Sequence, residues 1–393
     1  MHWLRFQLGK RYNAAQWTLP TDWMSKDHYH QVLTELDPTS SPGIPYCREA
    51  TTIGQWLQMD PFKRFNQDKA DILWHDINRL LSGDYQHHYR VFVKDEVYTP
   101  KKVKEGRWRL IIAPSLAVQV AWQMLFGEYY KRIVRKPYST PSSYGLCYMA
   151  GGWRRFDNYL TSNNMDLCID KSAWDFNSPG WVYQLALDVM FDLLDHPRKV
   201  EWKNIAQTLF DDAFKHSLLH FPCGSLFRQN FFGFMKSGLV GTIDLNSFAQ
   251  VAISDLATFR LRTNQRKIKA TGDDTVEEGD ADPLYIEQLQ LAGCVVKEAN
   301  KAHQFMGFDV GKNFTPMYPL KHIANILTCG EEERPETIDS YLRIYANCKS
   351  QYSRWKKLQK LLGYQTSKTD FSNWFWLNHP DARDRGVVRD LTW

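Results

Sequence analysis

The sequence predicts an α+β fold, and three observations carry that prediction. Short apolar strands and amphipathic helices are mixed as far as about residue 310. Two strands flank a tight Gly272-Asp273-Asp274 turn, which places a hairpin in the middle of the chain. From about residue 316 the pattern changes to helical periodicity, ending at Gly363. With 393 residues, 43% hydrophobic and 24% charged, the chain can bury one large core or two to three modest ones, which excludes wholesale disorder.

Taken in order, residues 40–46 (SSPGIPY) form a rigid turn rich in Pro and Gly. Ile72, Leu73, Ile77, Leu80 and Leu81 recur at helical spacing, and Gly83 stops them. A strand over 89–96, a basic loop, a second strand over 109–115 ending at Pro114, and a helix over 117–134 follow. The strand 165–169 delivers Asp170 at its end. Ser178 as cap and Pro179 at the first helical position open a helix that continues through 181–194. A long helix is expected from Thr242 to about Arg260, with Ile243, Phe248, Ala252, Leu256 and Phe259 among its apolar positions. After the hairpin come a helix over 283–292 and strand-like segments at 294–298 and 303–310. Residues 339–362 read as helical, anchored by Tyr341, Leu342, Tyr345, Trp355, Leu358, Leu361 and Leu362.

Composition narrows the partners. The net charge of +5 suits nucleic acid, and residues 94–109 hold six bases against three acids, a block able to line a phosphate channel. Fifteen tryptophans need a large core or a surface that stacks on flat ligands. The seven cysteines are scattered, odd in number and without zinc spacing, so a reduced intracellular compartment is expected. No run approaches the roughly 18 apolar residues of a membrane span, and residues 1–10 lack the apolar core of a signal peptide.

Carboxylates from separate elements, brought together, can hold divalent ions for phosphoryl transfer. Asp170 and Asp273 each sit at the edge of an apolar strand, and Asp274 adjoins Asp273. A plain structural reading stands beside this one, with Asp170 a cap or loop acid and the Asp pair an ordinary hairpin turn.

Several ordered segments resemble the RNA-dependent RNA polymerases of positive-strand RNA viruses, most closely the sobemovirus–luteovirus group of the picornavirus-like set. The likeness runs from about residue 40 to 310. DKSAWD resembles the first palm motif, which implies a metal ligand at Asp170 and a sensor of the ribose 2'-hydroxyl at Asp175. SGLVGTIDLNS resembles the second, with Ser237 and Gly238 in a mobile loop near the template and nascent pair, and Ser237, Thr242 and Asn246 in ribose selection. TGDD resembles the third, with Asp273 and the accessory Asp274 on metal. Lys301 stands where the family places a lysine near the leaving pyrophosphate, with Lys297 a rival. Phe305, Met306, Gly307 and Phe308 resemble the hairpin that holds the primer strand. Lys94, Lys102, Arg107 and Arg109 resemble the fingertip cations of the channel through which nucleotides enter. Ser41, Pro42 and Gly43 resemble the loop where the template enters. Tyr98 departs from the family, many of whose picornavirus-like members have arginine there.

The resemblance implies a right-handed polymerase with fingers, an antiparallel-sheet palm and a helical thumb, closed by fingertips. Fingers would take 1–165 with minor palm contributions, and an insertion at 206–241. The palm would take 166–205 and 242–312, and the thumb 313–393. It further implies two Mg2+ ions with Mn2+ as substitute, and NTPs, a single-stranded RNA template and nascent RNA as ligands. A protein primer and other viral replication proteins are partners left open. The implied location is the host-cell cytoplasm, in membrane-associated replication complexes reached through partners.

Several residues keep two readings. Asn246 and Gln250 lie one turn apart and could pair with each other instead of serving the sugar. Ser237-Gly238 could be a plain helix-entry turn, Lys101 and Lys104 a solvated loop, and Trp108, Trp153 and Trp174 packing residues. A reverse transcriptase and a catalytically silent RNA-binding module are the rival functions. Asp175 and Asn246 favour ribose over the first, and Asp170, Asp273 and Lys301 favour chemistry over the second.

Overall fold

The computed structural model describes residues 1–148, 151–311 and 314–364. Eleven strands are described: β1 (His88–Val93), β2 (Leu110–Ala113), β3 (Met165–Lys171), β4 (Leu218–His220), β5 (Leu226–Arg228), β6 (Ile268–Thr271), β7 (Asp274–Glu278), β8 (Val296–Lys301), β9 (Gln304–Phe305), β10 (Phe308–Asp309) and β11 (Thr315–Pro316). They form three sheets, ordered β2-β1-β4-β5, β6-β7-β3-β8 and β11-β10-β9.

The second sheet is antiparallel throughout. Its strand β3 alternates, with Leu167, Ile169 and Lys171 buried and Asp170 exposed between them. One face rests on the helices Thr242–Leu261 and Pro283–Leu291, where Tyr285 Oη donates to Glu277 at 2.5 Å and meets Ser254 Oγ at 2.7 Å. The other face packs Val276 with Phe156 and Leu160 of the Gly152–Ser162 helix and with Phe305 of β9.

The Thr242–Leu261 helix departs from its sequence reading. Ile243 and Phe259 are exposed, whereas Asp244, Asn246, Ser247, Gln250, Ser254 and Asp255 are buried. This helix is enclosed nearly all round, so its inward rows include polar groups that apolar periodicity does not register.

The first sheet joins distant segments. β1 pairs antiparallel with β2 but parallel with β4, whose hairpin partner β5 completes the sheet. An unbroken helix, Lys199–Phe214, crosses the junction drawn at 205/206, so the chain has no break there.

Two boundaries move. The helix after Pro179 starts at Gly180, because Pro179 is extended in a bridge with Gly233, and Ser178 Oγ donates to the Asp175 carbonyl instead of capping. The span 339–362 is two helices, Arg334–Ile344 and Lys349–Leu361. The break lets Trp355 stack on Tyr341 and Tyr345, at centroid distances of 4.9 and 5.4 Å. One continuous helix would hold residues 345 and 355 about 15 Å apart. The proposed thumb and palm limits include residues 312, 313 and 365–393, which lie outside the described residues. Among the described residues no helix is long and apolar enough to cross a membrane.

Candidate active site

The acids meet at one end of the central sheet. Ile169 pairs with Thr275, so the next residues, Asp170 on β3 and Asp274 on β7, stand side by side. Asp273 lies one step on, in the two-residue turn between Thr271 and Asp274. Gly272 has φ +63° and Asp273 is not left-handed, as a type II′ hairpin turn requires. The Gly272 amide donates to Ser247 Oγ at 2.9 Å, tying the turn to the Thr242–Leu261 helix.

Their surroundings differ. Asp170 is half-exposed and ion-paired with Lys297. Asp273 is exposed. Asp274 accepts from the Met306 amide at 2.6 Å. Burial pushes the Asp274 carboxyl up to about 6; the Met306 amide and Lys171 pull it down, while Asp273 and Asp170 push it further up. Among the described residues no group of three or more His, Cys, Asp or Glu side chains is gathered as a ready metal cage. The donor set still fits a hard divalent cation in kind: Asp170 and Asp273 offer outward carboxylate oxygens, and Lys297 shows that a cation is drawn to Asp170. Asp274 is the partial misfit, since one of its oxygens is committed to the β9–β10 turn.

Asp175 and Asn246 are brought together. Asn246 Nδ2 donates to Asp175 Oδ1 at 3.3 Å, and Asn246 Oδ1 accepts from Trp174 Nε1 at 2.9 Å and Tyr183 Oη at 3.5 Å. No bond joins Asn246 to Gln250, so the one-turn pair is not formed. Burial raises the Asp175 carboxyl, helped by Asp273 and opposed by the Asn246 bond and by Arg109. The Asp175 carboxyl therefore feels both Asp273 and Arg109.

The other second-motif residues are held locally. Thr242 Oγ1 donates to the carbonyls of Lys236 (2.9 Å) and Leu239 (2.6 Å), so its hydroxyl is committed to the turn. Ser237 Oγ accepts from the Ile112 amide at 3.0 Å, and the Gly238 amide donates to the Ile112 carbonyl at 3.0 Å. A Cβ on Gly238 would lie 3.1 Å from Ala113 Cα. The loop expected to be mobile is thus docked along β2.

The basic segment divides. Lys94 and Arg109 reach Glu96 at 3.5 and 3.2 Å, and Lys321 from the Pro319–Thr328 helix joins them at 3.7 Å. Arg107 pairs with Glu105 at 2.5 Å, and Lys102 is exposed on the Pro100–Lys104 helix. Tyr98 closes the loop's base: its hydroxyl donates to the Lys94 carbonyl at 2.8 Å and accepts from the Arg109 amide at 3.3 Å. Pro42 and Gly43 are buried against the start of the Leu116–Val134 helix, where the Leu116 amide donates to the Pro42 carbonyl at 2.7 Å. Gly43 has φ +64°, and a Cβ there would fall 2.4 Å from the Pro114 carbonyl. Of the expected template loop only Ser41 is exposed.

Lys301 is a correction. It pairs in register with Leu167, at the far end of β3 from Asp170, and its ammonium bonds Asp166 (2.7 Å), Asp280 (3.0 Å) and the Gly279 carbonyl (2.7 Å). β8 runs away from the acids, so its first residues approach Asp170 and its last do not; of the two candidate lysines it is Lys297 that reaches Asp170. Phe305–Phe308 is a tight hairpin with Met306 (φ +53°) and Gly307 (φ +76°) at its turn. Sequence reasoning missed Glu96, Lys321 and the indole of Trp174. Glu96 carried a faint signal as an acid inside a basic run, whereas Lys321 carried none.

The fold matches that of a solved viral polymerase: the Sicinivirus 3Dpol RNA-dependent RNA polymerase superposes with TM-score 0.74 at 17% identity, covering 95% of this chain and 83% of that one. The likeness establishes the fold. The chain belongs to the viral RNA-dependent RNA polymerase family, whose model matches residues 17–276. It is 27% identical over 256 residues to the replicase polyprotein P2AB of Southern cowpea mosaic virus, covering 62% of this chain and 26% of that one. It is 26% identical over 276 residues to Protein P1-P2 of Potato leafroll virus (64% and 24%), and 27% identical over 286 residues to the genome polyprotein of Cosavirus A (70% and 12%). The sobemovirus–luteovirus likeness is thereby met. The chain spans about a quarter of the length of the P2AB relatives it matches.

Proposed function

We propose that this chain carries out template-directed RNA synthesis, transferring a nucleoside monophosphate from an NTP to an RNA 3'-end and releasing pyrophosphate. The observation that carries the reading is the convergence of Asp170, Asp273 and Asp274 at one sheet end, with Asp175 near enough to Asp273 for its carboxyl to be raised by it. Asp170 and Asp273 would hold two magnesium ions, or manganese in their place, which would supply charge for the attacking and leaving oxygens. Asp274 anchors the hairpin through Met306 and sets the floor of the site. Asp175, oriented by Asn246, accepts a hydrogen bond from the ribose 2'-hydroxyl through its remaining oxygen. Arg109, with Lys94, exchanges Glu96 for the incoming triphosphate. Lys297, released from Asp170, takes the pyrophosphate charge expected of Lys301.

RNA template, nascent RNA and NTPs are the ligands, with other replication proteins as partners. The reading extends to membrane-held replication complexes in the host cytoplasm. Primer extension on an RNA template with magnesium tests the reaction. Ribonucleotides should be incorporated in preference to deoxyribonucleotides, and Asp273→Ala should abolish extension while RNA binding persists. Robust synthesis by that variant removes Asp273 from the site, and preference for deoxyribonucleotides restores the reverse-transcriptase reading.

A further inference from the structure

The Asn246 amide has two chemically different ends, and its orientation decides whether it helps or repels Asp175. The Trp174 indole N–H can only donate, and an ionised Asp175 carboxylate can only accept. The amide lies between them, with Oδ1 on Trp174 Nε1 at 2.9 Å and Nδ2 on Asp175 Oδ1 at 3.3 Å. Trp174 is 2% exposed and Asn246 5%, so water cannot easily replace the indole. The Tyr183 hydroxyl, at 3.5 Å, is too distant to hold Oδ1 alone. Trp174 and Asp175 are consecutive in the one-turn Trp174–Asn177 helix, so the residue that fixes the amide and the residue that receives it move together. The Trp174 ring is itself seated in the main core.

We infer that Trp174 is a positioning residue for sugar selection: its indole N–H locks the Asn246 amide so that Asp175 presents its free oxygen to the 2'-hydroxyl. The inference rests on the proposed sugar-sensing role of Asp175. Without the indole donor, Asn246 Oδ1 loses its short buried partner, the amide is no longer held at both ends, and Asp175 loses the fixed bearing of its free oxygen.

The test compares incorporation efficiency (kcat/KM) for ATP over dATP opposite one template uridine. Trp174→Phe should lower that ratio by about fivefold to tenfold, the loss expected for one buried hydrogen bond left unmade. In an Asn246→Ala background the same change should lower it no further, because the amide it acts through is gone. A merely structural role would instead cut both efficiencies together and leave their ratio alone. Should Trp174→Phe fold poorly, 3-benzothienylalanine at position 174 replaces only the N–H with sulfur in a ring of similar shape. Asp175→Ala separates the two ideas. If it lowers the ratio and the position-174 variants do not, or if Trp174→Phe and Asn246→Ala effects simply multiply, the positioning role is wrong. If Asp175→Ala leaves the ratio unchanged, the sugar-sensing reading falls and takes this inference with it.

Discussion

An ammonium on Asp170 means that this carboxylate is already charge-balanced before any ligand arrives. On the proposed reading a divalent cation at Asp170 competes with Lys297, and the displaced ammonium would be free to turn toward the leaving phosphates. Lys297→Ala should therefore lower the extension rate by about 100- to 1000-fold, the range of a single electrostatic or proton-transfer contact. Lys301→Ala should change it by less than about threefold, since its partners are Asp166 and Asp280 on the surface. Single-turnover rates with saturating NTP distinguish the two, and the reverse ranking would return the role to Lys301. At this scale the sequence reading picked acids that the structure does bring together, because Asp170 and Asp273 lie at or beside strand ends and strand ends are readable from periodicity. It misjudged the lysine, because choosing between positions four apart requires the direction and register of β8, which no local pattern contains. It missed Trp174 for a related reason: an apolar reading of a tryptophan hides its one donor.

Elements were legible where one face is apolar, and blurred where an element is enclosed. The hairpin around Gly272 and the helix 242–261 came out within a residue or two, yet the buried polar rows of that helix did not. Its start depends on a glycine: Gly241 has φ +79°, and a Cβ there would sit 2.0 Å from Tyr130 Cζ, in a ring that is 6% exposed. Gly241→Ala combines left-handed strain with overpacking, for a loss on the order of 3 kcal/mol. Gly224→Ala, at φ +86° with nothing within 4 Å, isolates the backbone part and should lose about 1 kcal/mol. Urea unfolding midpoints of the two variants measure the difference, and equal losses would mean that Tyr130 yields freely.

For the whole molecule, Glu96 is the point where the basic segment meets the helix Pro319–Thr328. Burial alone would raise its carboxyl, but Arg109, Lys321 and Lys94 together hold it below the ordinary value of 4.5. A lowered folded value means that this linkage is fully present above pH 4.5 and is lost as the pH falls through the lowered value. Glu96→Gln should melt below the parent protein at pH 7, and the two melting curves should converge as the pH approaches 3. A gap that persists at low pH would show that the glutamate acts through packing, not charge. The pairing of β1 with β4 has a further consequence for biosynthesis. Residues 88–90 find their parallel neighbours only at 218–220, after a stretch of chain that a ribosome must first release. A nascent chain halted between these points carries a bare strand edge, open to aggregation or to a chaperone, until the second half emerges.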